Sequence, residues 1–278
     1  MQRLVGRLSK KVQAKVIEKV VHLNRYHHFT ELMRDPAIEG ELARFKSHAD
    51  GSMQTLFTLR PAGRAAENLF FFFHGMDGDA GDGVVVRDVV KEFNARVVCL
   101  GGRGPSWVSD AFLADAEQMI RTVSAGATFH LLGISMGATQ VLALAALLPQ
   151  DLLRRLQGAV AVMPGAELGA IAKSSAHARV RETLKACVDG DMAKLLARSP
   201  HRLMDRYPQT VPFSIYYNEQ DTLLLNDFLE DFIGKLRARG IRVHSFRAPG
   251  GHTLTGQTFE YCKMILALGS DGGEQGSL

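Results

Sequence analysis

Gly133-Ile134-Ser135-Met136-Gly137 matches the pattern G-x-S-x-G, and the residues on either side of it decide the fold. Upstream, Thr128-Phe129-His130-Leu131-Leu132 is short and apolar and follows the small residues Ala125-Gly126-Ala127, which reads as a buried strand. Downstream, residues 138–148 are rich in Ala and Leu and stop before Pro149, which reads as a helix. A serine at such a sharp strand-to-helix turn sits strained and exposed, with glycines beside it where side chains would clash. The helix that begins there points its free N–H groups and positive end at any negative charge developing near the serine. Ser135 is therefore read as a nucleophile. The bland alternative makes it an ordinary cap on a glycine-flanked helix.

Outward from this turn, strand and helix patterns alternate. Met53-Gln54-Thr55-Leu56-Phe57-Thr58-Leu59 has a strand's period of two. Asn68-Leu69-Phe70-Phe71-Phe72-Phe73 is continuously apolar, as a strand covered on both faces should be, and stops at the loop His74-Gly75-Met76-Asp77-Gly78. Residues 83–93 read as a helix and 96–100 as the next strand. The loop Gly101-Gly102-Arg103-Gly104-Pro105-Ser106-Trp107 follows, then a helix capped by Asp110. Beyond the serine turn, residues 156–163, 212–218 and 242–247 read as strands. The alternation implies an α/β fold, a mostly parallel wound sheet flanked by helices. Residues 165–210 are too many for a simple crossover and are helical in pattern, so they read as a helical insertion.

A serine hydroxyl is a weak nucleophile at neutral pH and needs a base, itself oriented by an acid. Asn218-Glu219-Gln220-Asp221 is an acidic loop at one strand's C-terminal end, and Ala248-Pro249-Gly250-Gly251-His252 places a histidine at the end of the next. Sites in open α/β sheets assemble at these ends. Asp221 and His252 are the expected acid and base, with Glu219 and Asp227 as rivals for the acid. Asp77, Asp79 and Asp82 form an acidic cluster that reads more simply as a solvated loop than as a metal site.

The order Ser135, Asp221, His252 on these elements resembles the α/β-hydrolase superfamily over about residues 53–268. The resemblance implies a serine esterase or thioesterase, with Ser135 as nucleophile, Asp221 as acid and His252 as base. It further implies that His74-Gly75 opens an oxyanion loop and that the Met76 and Met136 backbone N–H groups form the oxyanion hole. Only one strand is read ahead of the strand that ends at His74, so a reduced sheet is expected, and residues 165–210 sit where the superfamily often inserts a cap over the active site. His74, Arg103 and Trp107 are expected at the substrate pocket. An acyltransferase or carrier-editing thioesterase is the alternative activity, and a non-catalytic binding module the reading from another class.

Composition sets the remaining bounds. Of the 278 residues, 46% are hydrophobic and 22% charged, ordinary for a globular protein, and a net charge of +4 is too small to argue for nucleic acid. Three widely spaced cysteines show no ligand pattern and suit a reducing compartment, so a cytoplasmic location, no metal and no cofactor are expected. Residues 1–52 read as an extension that begins with a basic amphipathic helix over residues 1–25. Its lysines and arginines suggest either packing on its own domain or contact with an anionic membrane surface or a partner's groove; the basic cap reads as the solvated face of its helices or as steering for an anionic substrate such as a carboxylate or a carrier-bound acyl group. Residues 269–278 read as a flexible tail.

Overall fold

The continuous phenylalanine run does what its pattern requires: Phe70 and Phe72 enter one hydrophobic core and Phe71 and Phe73 another, on opposite faces of one sheet. Each buried phenylalanine contributes roughly 1.5–3 kcal/mol, so this one strand anchors both layers. In a computed structural model that describes residues 35–252, 260–270 and 276–277, the chain runs β1 (Ile38–Lys46), β2 (Met53–Pro61), β3 (Asn68–Phe73), α1 (Arg87–Glu92), β4 (Ala95–Leu100), α2 (Asp110–Ser124), β5 (Phe129–Ile134) and α3 (Met136–Leu147). It continues through α4 (Gln150–Leu153), β6 (Leu156–Val162), α5 (Leu168–Ser174), α6 (Ala178–Ala186), α7 (Met192–Ala197), β7 (Phe213–Asn218), α8 (Asn226–Ala238), β8 (Val243–Ala248), α9 (Tyr261–Leu268) and the two-residue β9 (Gly276–Ser277). The expected helix over residues 1–25 lies outside the described residues.

The sheet order is β1-β2-β4-β3-β5-β6-β7-β8-β9. Pairing is antiparallel from β1 through β2 to β4 and parallel from β4 onward. One face is covered by α2, α3 and α8 through Phe112, Val141 and Phe232, the other by α1 and α9 through Val89 and Met264. Helix α3 is buried from Met136 to Ala146. It is apolar all round because it lies between the sheet and the cap, packing Val141 and Leu142 on one and Met136 and Ala143 on the other.

Two differences from the sequence reading have physical causes. The sheet begins at Ile38, not Met53: β1 pairs with β2 over nine residues, Ile38 opposite Pro61 to Lys46 opposite Met53. As an edge strand β1 buries only Ile38 fully, so its sequence carries no apolar alternation, and the sheet is not reduced. The helix expected over residues 83–93 begins as a 3-10 helix, Ala80–Val86, before α1. Its start is fixed by Asp79, which accepts from the Gly81 N–H at 2.7 Å, and by Asp82, which accepts from the Asp79 N–H at 3.1 Å. Residues 165–210, the expected helical cap, hold three short helices, α5 to α7, and two 3-10 turns, Pro200–Arg202 and Met204–Arg206.

Candidate active site

The turn at Ser135 is strained as its sequence implies. Its φ of +55° and ψ of −116° lie outside the regions a serine ordinarily adopts, at a cost of about 1–3 kcal/mol that surrounding contacts must offset. Strand β6 supplies one: the Ser135 N–H donates to Val162 O at 2.8 Å. The flanking glycines are steric necessities. A Cβ on Gly133 would meet the Gly137 carbonyl, and one on Gly137 would meet the Phe73 carbonyl at the end of β3. The elbow therefore wedges β5, α3 and β3 together with backbone touching backbone.

Two other strand ends meet it. His252, on the loop after β8, places Nε2 2.8 Å from Ser135 Oγ and Nδ1 2.6 Å from Asp221 Oδ2. A carboxylate only accepts, so the imidazole proton sits on Nδ1 and the Nε2 lone pair faces the serine hydroxyl. Asp221 is itself buried, and its Oδ1 accepts the Leu223 N–H at 2.9 Å and the Leu224 N–H at 3.3 Å. Of its rivals, Glu219 forms an exposed pair with Arg247 at 3.0 Å, and Asp227 is an exposed residue in the first turn of α8.

One contributor is not evident in the sequence. Asn218, buried at the end of β7, donates through Nδ2 to Gly251 O at 2.6 Å, immediately before His252. Tyr216 Oη donates to Asn218 Oδ1 at 2.7 Å, which fixes the amide's orientation. Backbone bonds from Glu219 N to Ala248 O (2.8 Å) and from Gln220 N to Gly250 O (2.9 Å) complete the stitching of the acid loop to the base loop. In sequence, Asn218 is only the first polar residue after a strand.

His74 is buried, with Nδ1 2.7 Å from Gly75 O and Nε2 2.9 Å from Gly101 O. A neutral ring donates to one of these two carbonyls and packs its other nitrogen against the second, so the buried His74 ring is spent on ordering the loop. The loop passes close to the serine: a Cβ on Gly75 would lie 3.8 Å from Ser135 Cβ. Met76 is next in the chain. Met136 is the first residue of α3, so its N–H has no acceptor within the helix.

Arg103 and Trp107 are not where a substrate would find them. Arg103 Nε donates to the buried Asp115 at 2.6 Å, its Nη atoms bond Asp50, and Nη2 reaches Ser47 Oγ at 2.9 Å. The guanidinium is fully committed to joining the β1–β2 turn to α2, and these carboxylates hold its proton even more firmly than usual. Trp107 is buried between the elbow and the cap, donating its indole N–H to Thr183 Oγ1 at 3.0 Å and its backbone N–H to Met136 Sδ at 3.4 Å. Asp77 pairs with Arg179 of the cap at 2.6 Å. With Asp79 and Asp82 acting as caps, the acidic cluster is structural, and among the described residues no group of three or more potential ligands could hold a metal ion. Much of the cap's positive charge is likewise paired: Lys194 and Arg198 with Asp110, Arg202 with Glu167 at 3.3 Å.

No protein-family model matches the chain, and no curated protein matches it in sequence. Its structure is similar to those of several solved proteins. An esterase of Rhizomucor miehei superposes with a TM-score of 0.67 at 17% identity, over 86% of this chain and 88% of that one. Esterase B of Lactobacillus rhamnosis gives 0.68 at 16%, over 93% and 92%. A fluorophosphonate-binding serine hydrolase of Staphylococcus aureus gives 0.64 at 14%, over 84% and 99%. The likeness is one of fold: the chain has the α/β-hydrolase fold.

Proposed function

We propose that this chain, built on the α/β-hydrolase fold, is a serine hydrolase that cleaves a carboxylic ester or thioester through an acyl-enzyme on Ser135. The observation that carries the reading is His252, held at hydrogen-bond distance from both Ser135 and Asp221 by loops from three different strands. Its support is chemical. Ser135 Oγ attacks the substrate carbonyl as its proton passes to His252 Nε2. Asp221 stabilises the imidazolium through Nδ1–H without taking the proton. The carbonyl oxygen becomes an oxyanion beside the N–H groups of Met76 and Met136, which stabilise it. Collapse breaks the bond to the alcohol or thiol, which leaves with the proton from His252. Water, deprotonated by the same imidazole, then releases the acid and restores Ser135.

The surroundings of the elbow are apolar, Leu168, Ile171 and Val180 of the cap and Leu224 of the loop after β7 sharing a core with Met136, which supports an uncharged acyl group. The esterases of like fold support ester hydrolysis as the reaction class. The test is labelling with a fluorophosphonate together with turnover of a series of p-nitrophenyl esters and acyl thioesters. Ser135→Ala should lose labelling and several orders of magnitude in turnover while its circular dichroism stays unchanged. Undiminished turnover by that variant would overturn the reading.

A further inference from the structure

Helix α6 of the cap meets the oxyanion loop at two points. Thr183 Oγ1 lies 3.4 Å from Met76 Sδ and accepts the Trp107 indole N–H at 3.0 Å. Four residues earlier, Arg179 pairs with Asp77 at 2.6 Å. Positions i and i+4 share a helix face, so one side of α6 is applied to two consecutive loop residues. Trp107 then donates its backbone N–H to Met136 Sδ at 3.4 Å. The side chains of Met76 and Met136 are thereby joined through Thr183 and Trp107.

The loop needs an external hold at this point. His74 fixes its root through Gly75 O and Gly101 O. Beyond the root, the turn over residues 75–78 is closed by the Gly78 N–H donating to Gly75 O at 3.0 Å, with Met76 in the middle of the turn. A backbone N–H in the middle of a turn between glycines pivots easily. The thioether is a weak acceptor, and packing alone would be served as well by leucine. The Thr183 hydroxyl has one proton, within reach of both Met76 Sδ and Val180 O at 3.2 Å, while its lone pairs take the indole N–H.

We infer that Thr183 is a positioning residue: through Met76 it aims an oxyanion-hole N–H, and so makes the hole depend on the cap being seated. This rests on the roles proposed above for Ser135, Met76 and Met136. A cap lifted from the elbow would leave the Ser135–His252–Asp221 relay intact but the oxyanion donor misdirected. Catalytic power would then follow how well an acyl group holds the cap down. A displacement of about 1 Å in a catalytic group can cost up to about a hundredfold in rate.

The test is Thr183→Val, which keeps the branched shape and removes the hydroxyl, assayed with p-nitrophenyl butyrate. The expected result is a fall in kcat of about tenfold or more with KM within about twofold, recovered in Thr183→Ser. Met76→Leu, which keeps the backbone N–H but removes the sulfur, should lower kcat similarly. The two changes together should cost no more than the worse one alone, because they break one interaction. Unchanged kcat in Thr183→Val would overturn the inference, as would a rise in KM alone, which would make Thr183 a substrate contact. A loss that Thr183→Ser fails to recover and that tracks a fall in Tm would make it merely structural. If instead Ser135→Ala is still labelled by fluorophosphonate, the proposed activity itself fails.

Discussion

Two loops leave the C-terminal edge of the sheet with similar promise and different fates. The loop after β4 carries Arg103 and Trp107; the loop after β7 carries Glu219 and Asp221. In the first, every polar group is turned inward to hold the scaffold: Arg103 bridges Asp50, Asp115 and Ser47, and the Trp107 indole is bonded to Thr183. In the second, Asp221 is buried too, but one of its oxygens faces an imidazole whose far nitrogen is 2.8 Å from Ser135 Oγ. Both loops hold a charged group drawn in from solvent. What separates scaffold from chemistry is whether the far side of the hydrogen-bond chain ends on a reactive atom.

The sharpest way to break this contrast is Asp221→Asn. An amide cannot enforce the Nδ1–H tautomer or stabilise the imidazolium, so kcat should fall by about 10⁴-fold with little change in thermal stability. An enzyme that kept its kcat would reduce the β7 loop to scaffold as well.

Asp115→Ala tests the other loop. It leaves the Arg103 guanidinium, only 18% exposed, without its buried partner, and denaturant unfolding should show a loss of about 3 kcal/mol. The folded fraction should turn over ester with nearly normal KM. A selective rise in KM would put Arg103 back at the substrate.

Asn218→Ala should fall between these effects, lowering kcat by about tenfold through a loosened His252 loop while leaving fluorophosphonate labelling detectable. Leu at the position should do no better, since it can neither donate to Gly251 O nor accept from Tyr216.

The smallest effects concern two exposed acids. Hydrogen bonds, first from Arg103 and then from the Ser52 N–H, hold the Asp50 carboxyl far below the usual range. A depressed folded-state pKa means that the charged form stabilises the fold above about pH 4 and that this contribution is lost as pH falls further. Asp50→Asn should therefore flatten the acid side of the stability profile below pH 4 and leave turnover at neutral pH unchanged. Glu219→Gln, two residues from Asp221, should change kcat by less than about twofold.

The same contrast marks how far the sequence could be read. The meeting of Ser135, Asp221 and His252 was legible because each follows a strand pattern and sits where glycines or turn residues must bend the backbone. The phenylalanine run and the G-x-S-x-G turn gave away the parallel core for the same reason: local patterns report local burial. Arg103 was misread because its partners lie 53 and 12 residues away in the chain, and nothing local announces that a charge is already neutralised. Strand β1 was missed because an edge strand with one buried residue leaves no apolar trace. Asn218 was passed over because its value lies in an acceptor, Gly251 O, contributed by another strand's loop.

The strained serine also bears on the order in which the protein can become active during synthesis. Its φ of +55° is held partly by Val162, at the far end of β6, so the elbow cannot be locked until that strand has been made and paired. The cap is translated next, and Asp221 and His252 come last, on β7 and β8. A nascent chain emerging from the ribosome would thus carry a formed turn, and then a covered one, with no base to activate it. On the roles proposed for Ser135, Asp221 and His252, reactivity arrives only after β8 has been made, with the cap already translated.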